Sequence, residues 1–277
     1  MSFPMPEIAV PARLAVHTLG RHARRLIEGR DELRVFARFE RSLYVHDAAG
    51  GLACIGGERL GLGPLNVLLA QTEFSATDFQ DGERLEFDTA GAAIWQPAVF
   101  TIPDQEGLRH GLAALKAALG RVAARGLAAP EVDDPVAARV QASFTALTTW
   151  LGAGAGPEVP GAAVDVLGLG PGLTPAGDDA LGGAMIALRS FGHGGAADRL
   201  AAGLLAPAPE RTNTISLAHL RAAADGEGAA ALHEALAAVA CADQPALLDA
   251  LRRLDRIGHS SGWDALAGAR AVLNALV

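Results

Sequence analysis

The chain is poor in lysine. Lys116 is its single lysine, so arginine carries almost all of the positive charge. Lys116 sits in a plain amphipathic pattern, which excludes a lysine nucleophile in the glycine-rich regions described below. Cysteine is scarce too. Cys54 and Cys241 lie in apolar surroundings and lack the Cys/His spacing of a zinc site. Both are expected to be buried free thiols in a reducing compartment. No apolar run is long enough to span a bilayer, and the first residues lack the basic-then-apolar order of a signal peptide. A soluble, cytoplasmic protein is expected. The net charge of −8 argues against nucleic acid and against an anionic membrane surface as partners.

What remains is a long and apolar chain. Its 277 residues are half hydrophobic, enough for one large domain or two ordinary ones. Residues 1–11 look like a loose lead-in. The stretch 14–27 fits either a strand or a helix, with His17, Arg21, His22, Arg24 and Arg25 forming a solvated face. From Leu33 the apolar period becomes two. Strands are expected over 33–39, 42–46, 51–55, 84–87 and 92–95, with a hairpin turn at Asp47–Gly51 and an extended, bent segment over 61–69. Asn66 in that segment either serves a turn or faces a site. Later the period lengthens to that of a helix: 105–125, 135–151, 213–224, 229–241, 245–257 and 261–276 are expected to be helical. The fold class is therefore α+β. A β-rich N-terminal barrel or sandwich (residues 1–103) precedes a mostly α-helical region (104–277).

The chain is organised around Ala163 to Gly183. A short apolar run, Ala163–Leu167, reads as a buried extended segment. Gly168, Gly170 and Gly172 then form a loop, and Thr174 with Pro175 announces a helix, threonine as N-cap and proline at the first helical position. Asp178 and Asp179 fall in its opening turn, where the helix dipole favours negative charge. The loop lacks the Gly-Lys-Ser/Thr of a phosphate-binding loop and the third glycine of a dinucleotide fingerprint. Its backbone amides could still hold an anion, provided a cation or an amide lies between that anion and the two carboxylates.

A second stretch repeats the pattern. Gly177-Asp-Asp-Ala-Leu-Gly-Gly183 and Gly262-Trp-Asp-Ala-Leu-Ala-Gly268 share Gly-x-Asp-Ala-Leu-x-Gly, which sets Asp264 in the place of Asp179. Two helices that begin alike could point their N-termini into one pocket. Ser261 and Asp264 also have capping-box spacing, which needs no ligand. His259 stands beside Ser260 and Ser261, and neighbouring residues rarely make a nucleophile–base pair, so a hydrolase triad is not expected. A third polar cluster, Arg211-Thr-Asn-Thr-Ile-Ser216, precedes another helix. Thr212 or Thr214 would cap it, and Arg211 could clamp a carboxylate or phosphate.

Together these three stretches resemble a bacterial family that includes the AllH subunit associated with oxamate carbamoyltransferase in anaerobic allantoin (purine) degradation. The likeness is specific over 168–183 and 258–268 and looser over 211–220. It implies carbamoyl transfer between oxalurate plus phosphate and oxamate plus carbamoyl phosphate, carried out with partner subunits on a small anionic metabolite. The motif positions then suggest Asp178, Asp179, His259 and Asp264 as catalytic residues. Gly170, Gly172, Thr174, Arg211, Thr212, Asn213, Ser260 and Ser261 would bind substrate. The three aspartates could also hold a hydrated Mg²⁺. A non-catalytic assembly subunit and a metal-assisted amidohydrolase are the alternative readings of the same residues.

Overall fold

A computed structural model describes residues 12–29, 31–71, 74–129 and 134–277. The lead-in at 1–11 lies outside the described residues. The chain divides into two compact units after Trp95.

In the first unit, the ambiguous stretch 14–27 turns out to be both elements in succession. Strand β1 (Ala12–Gly20) runs directly into helix α1 (Arg21–Ile27). Strands β2 (Leu33–Arg38), β3 (Ser42–His46), β4 (Leu52–Gly56), β5 (Asn66–Leu69), β6 (Arg84–Asp88) and β7 (Ala93–Trp95) follow. Their order is β5-β4-β3-β2-β6-β1-β7, and an added β5–β1 pairing closes the first six into a barrel. β1 is long enough to serve three neighbours: its first half pairs with β6, its second half with β7, and its far edge with β5. The barrel is filled by Leu14, Val16, Val35, Leu43, Val45, Ile55, Val67 and Leu85. β4 is buried along its whole length because α1 packs against it. In the β3–β4 hairpin Asp47 Oδ1 accepts the Gly51 N–H at 2.7 Å, the local bond that makes aspartate a turn residue. Asn66 donates to Gly61 O and so serves its turn.

The second unit is helical: α2 (Gln105–Leu119), α3 (Pro135–Gly152), α4 (Gly161–Val164), α5 (Ala176–Ser190), α6 (Gly194–Leu205), α7 (Ala208–Arg211), α8 (Thr214–Ala224), α9 (Ala230–Ala240), α10 (Gln244–Leu254) and α11 (Ser261–Asn274). α5 is apolar or small on nearly every side and is buried from Ala180 to Leu188, as expected of a helix enclosed by others. It packs against α11, α8 and α6.

Several expectations need correction. Ala163–Leu167 is not extended: Pro160 starts the short α4, and the chain turns onward to Leu167. Ala163, Val166 and Leu167 are buried as their composition requires, but so short an apolar run carries no period to tell strand from helix. α2 stops at Leu119, before Gly120, rather than at 125. Cys54 is buried, and burial pushes its thiol up to about 11, whereas Cys241, just beyond α9, is exposed. Both are free. No helix of the described residues is long and apolar enough to cross a membrane.

Candidate functional site

The two Gly-x-Asp-Ala-Leu-x-Gly helices lie side by side. α5 starts at Ala176 and α11 at Ser261, a constant offset of 85 positions that also relates Asp179 to Asp264 and Gly183 to Gly268. The last glycines of the two motifs make the pairing possible. A Cβ on Gly183 would stand 1.8 Å from Ala265 O, and one on Gly268 would stand 1.8 Å from Ala180 O. Each glycine therefore admits the other helix's backbone, and the contact is reciprocal. The N-terminal ends meet as well: the Thr174 and Ser261 hydroxyls are hydrogen-bonded at 2.8 Å.

That bond explains a one-residue error in the sequence reading. Pro175, not Thr174, is the N-cap of α5, and no side chain caps it, because the Thr174 hydroxyl is engaged across the junction. The Ser261/Asp264 capping box likewise does not form. Ser260 is the N-cap residue, its hydroxyl donates to Asp264 Oδ2 at 2.8 Å, and Asp264 Oδ1 accepts the Leu127 N–H at 2.7 Å. Leu127 arrives on a single turn of 3₁₀ helix, Gly126–Ala128.

Asp178 and Asp179 are adjacent but differ in surroundings. Asp178 is buried and fully engaged. Its Oδ1 accepts the Gly168 N–H at 2.8 Å, and its Oδ2 accepts the hydroxyls of Ser216, at 2.6 Å, and Thr212. It ties the opening of the glycine loop to the start of α8. The other end of that loop is held by Asn213, whose Nδ2 donates to Leu173 O at 2.9 Å. Asn213 is also the N-cap of α8 through Ser216 N, in place of the expected Thr212 or Thr214. The glycine loop is thus pinned at both ends. Gly168 gives its amide to Asp178. Among the described residues, no carbonyl or side chain takes the N–H of Gly170 or Gly172.

Asp179 is the exception in this network. Its Oδ2 is closed off from solvent and has no hydrogen-bond partner among the described residues. Burial pushes its pKa well above the usual carboxylate range. The Ser261 and Thr174 hydroxyls beside it oppose that shift, and the neighbouring Asp264 and Asp178 charges add to it. Asp264 is also raised, again by burial, against the opposing effect of its bonds to Leu127 N and Ser260 and of nearby His259. The Asp264 charge therefore acts on Asp179 across the helix pair.

The remaining candidates lie around this junction in different roles. His259 is exposed beside Asp264. Arg211 is partly exposed, donates to Val164 O at 3.1 Å and pairs with Asp165 at 3.4 Å. Among the described residues, no group of three or more His, Cys, Asp or Glu side chains is arranged to hold a metal ion. A cleft of about 250 Å³ lined by Ile102, Leu108, Phe191, His193 and Leu276 shares no residue with the junction. The sequence reading missed Ser216 and Leu127 as site members. Ser216 stood at the end of a polar cluster that could have flagged it. Leu127 contributes only a main-chain N–H and leaves no trace in residue type.

Residues 166–273 match the family model of oxamate carbamoyltransferase subunit AllH. The AllH match opens just before the glycine loop and closes within α11. It takes in Asp178, Asp179, Asp264 and the α8 start, and it relates this segment to a carbamoyltransferase subunit. The barrel, α2, α3 and the Leu127 turn lie outside it. No curated protein and no solved structure matches the chain.

Proposed function

We propose that this chain is a subunit of an oxamate carbamoyltransferase-type enzyme. With partner subunits, it would transfer a carbamoyl group between oxalurate and phosphate on one side and oxamate and carbamoyl phosphate on the other. The observation that carries the reading is the coincidence of the AllH match with the residues that converge at the α5 and α11 N-termini. In the phosphorolytic direction a phosphate oxygen bonds to the carbamoyl carbon, the bond from that carbon to the oxamate nitrogen breaks, and that nitrogen takes up one proton. The Gly170 and Gly172 amides and the α5 N-terminus favour the substrate's anionic end, with Arg211 drawing anions toward the loop. Asp179 orients an amide, His259 and Ser260 supply hydrogen bonds and the proton, and Asp264 holds Ser260 in position. Asp178, Thr212 and Asn213 hold the loop in shape, and Thr174 with Ser261 joins the two helix starts.

The test is carbamoyl phosphate formation from oxalurate by the reconstituted complex, with Mg²⁺ present and after chelation, because a hydrated Mg²⁺ at Asp179 and Asp264 belongs to the same proposal. Asp179→Asn and Asp264→Asn are each expected to lower kcat/KM by at least tenfold. Unchanged turnover in both would remove the catalytic assignment. One observation favours a second reading, that of an assembly subunit. Leu173, at the pinned far end of the glycine loop, is among the large apolar side chains exposed to solvent. If Leu173→Asp abolishes co-purification with partner subunits while both aspartate variants keep full turnover, the assembly reading replaces the catalytic one.

A further inference from the structure

The 3₁₀ turn that brings Leu127 to Asp264 has a second attachment, through the residue before it. Arg125 Nε donates to Asp255 Oδ1 at 3.0 Å, and Arg125 Nη2 donates to Asp255 O at 2.6 Å. One guanidinium thus grips both the side chain and the main chain of Asp255. Asp255 is the C-cap of α10, and its Oδ1 also accepts the indole N–H of buried Trp263 at 2.8 Å. The Trp263 bond first, then the Arg125 bond and charge, hold the Asp255 carboxyl below its ordinary value against the opposing effect of burial. Two residues after Arg125, the Leu127 N–H meets Asp264 Oδ1 at 2.7 Å, and Asp264 Oδ2 takes the Ser260 hydroxyl at 2.8 Å. Between the two attachments stands Gly126, at φ +52°. A Cβ there would lie 2.2 Å from Asp264 Oδ1 and 2.8 Å from Ser260 Cβ. The turn is therefore fastened to both sides of the α10–α11 corner, and that corner carries His259 and Ser260.

We propose that Arg125 is a positioning residue: it latches the Gly126–Ala128 turn onto the α10–α11 corner, so that the Leu127 amide fixes the Asp264 carboxylate and the carboxylate fixes the Ser260 hydroxyl. What Ser260 then does rests on the functional reading above. The latch extends the site to a segment outside the family match, which begins at residue 166. Fold stability is a poor reason for it. The Arg125 and Asp255 side chains remain 41% and 48% exposed, and ion pairs so exposed contribute little to stability. Geometry is a better reason. A carboxylate held at one oxygen can rotate about its last bond, and the Leu127 N–H supplies the second hold on Asp264. Without it Ser260 keeps a partner but loses a fixed direction. Arginine suits the task because its planar fork serves two oxygens of Asp255 at once, which the point charge of a lysine cannot.

The experiment compares Arg125→Ala, Arg125→Lys and Gly126→Ala with a control, Arg252→Ala, which removes an exposed ion pair to Asp249 from the same α10. The first readout is hydrogen exchange at the Leu127 amide, followed by NMR in the full chain alone. Exchange is expected to quicken about tenfold in Arg125→Ala and Gly126→Ala, less in Arg125→Lys, and not in Arg252→Ala. The second readout is carbamoyl phosphate formation by the reconstituted complex. Arg125→Ala and Gly126→Ala are expected to lower kcat about tenfold with KM within about twofold, and Arg125→Lys to fall between. The double variant is expected to lose no more than the worse single one, since both changes release one turn. Thermal melts of Arg125→Ala and Arg252→Ala are expected to coincide, which separates positioning from stability. Unchanged Leu127 exchange in Arg125→Ala would overturn the proposal. So would an unchanged kcat in an active Arg125→Ala complex, or an equal loss of kcat in Arg252→Ala. If the unmodified complex forms no carbamoyl phosphate, the functional reading fails, and Leu127 exchange alone decides the latch.

Discussion

Replacing Gly183 by alanine sets two physical effects against each other, and the sign of the result tells which one governs the α5–α11 pair. Intrinsic propensity alone favours alanine in a helix interior by about 1 kcal/mol. The structure opposes it. The new Cβ would stand 1.8 Å from Ala265 O, whereas carbon and oxygen in contact rest roughly 3.3–3.6 Å apart, so the helices would have to separate by about 1.5 Å. Overpacking of this kind costs about 1–3 kcal/mol, and since propensity returns about 1, a net loss of about 0–2 kcal/mol is expected. For a unit of this size that is a fall in Tm of up to roughly 8 °C. Gly182 is the control one residue away. Its added Cβ would meet Ala223 Cβ at 3.5 Å, an ordinary contact, so Gly182→Ala keeps the propensity gain and should raise Tm by roughly 2–4 °C. Calorimetric melts of both variants decide the matter. A Gly183→Ala protein as stable as Gly182→Ala would refute the close-approach account of the helix pair.

Two further outcomes follow from the carboxylates. Asp178→Ala leaves the Gly168 N–H and the Thr212 and Ser216 hydroxyls without their acceptor; Ser216 is the buried one of the three, and at about 1–3 kcal/mol for an unsatisfied buried donor the variant should lose at least about 1 kcal/mol in urea unfolding, whereas no measurable loss would show that water replaces the carboxylate freely. Because burial raises the Asp179 pKa, folding favours its protonated form, and the native chain loses stability as pH climbs from the ordinary carboxylate value toward the raised one. Asp179→Asn should therefore be more stable than the native chain at pH 7–8, with the advantage vanishing below about pH 4, where the unfolded carboxyl is also protonated; an advantage that grew toward acid would contradict the assigned direction.

The parts of the molecule visible in the sequence are those governed by local rules. Strands β2, β3, β4 and β6 followed from period-two apolar patterns, and α3 and α9 from helical ones, with errors of about a residue at their ends. The shared Gly-x-Asp-Ala-Leu-x-Gly pattern suggested that two distant helix starts could point into one pocket, and the two starts do touch, through Thr174 and Ser261. The local reading failed where a side chain had a distant partner. Thr174 and Asp264 look like caps in sequence, yet each bonds to a residue far along the chain, Ser261 and Leu127 respectively. A barrel was one of the two architectures expected, but which strands close it, β5 against β1, was not legible, because pairing between strands nearly fifty residues apart depends on register rather than on composition.

The reciprocal glycine contact also sets an order of events during folding. α5 carries adjacent glycines, Gly182 and Gly183, and is buried from Ala180 to Leu188, so alone in water it has little reason to stay wound. Its most extensive packing is against α11, which begins 85 residues further along the chain. A newly made chain must therefore keep α5 waiting while the five helices between them, α6 to α10, are synthesised. The joined helix starts would form abruptly, when α11 docks, rather than accumulate with chain length.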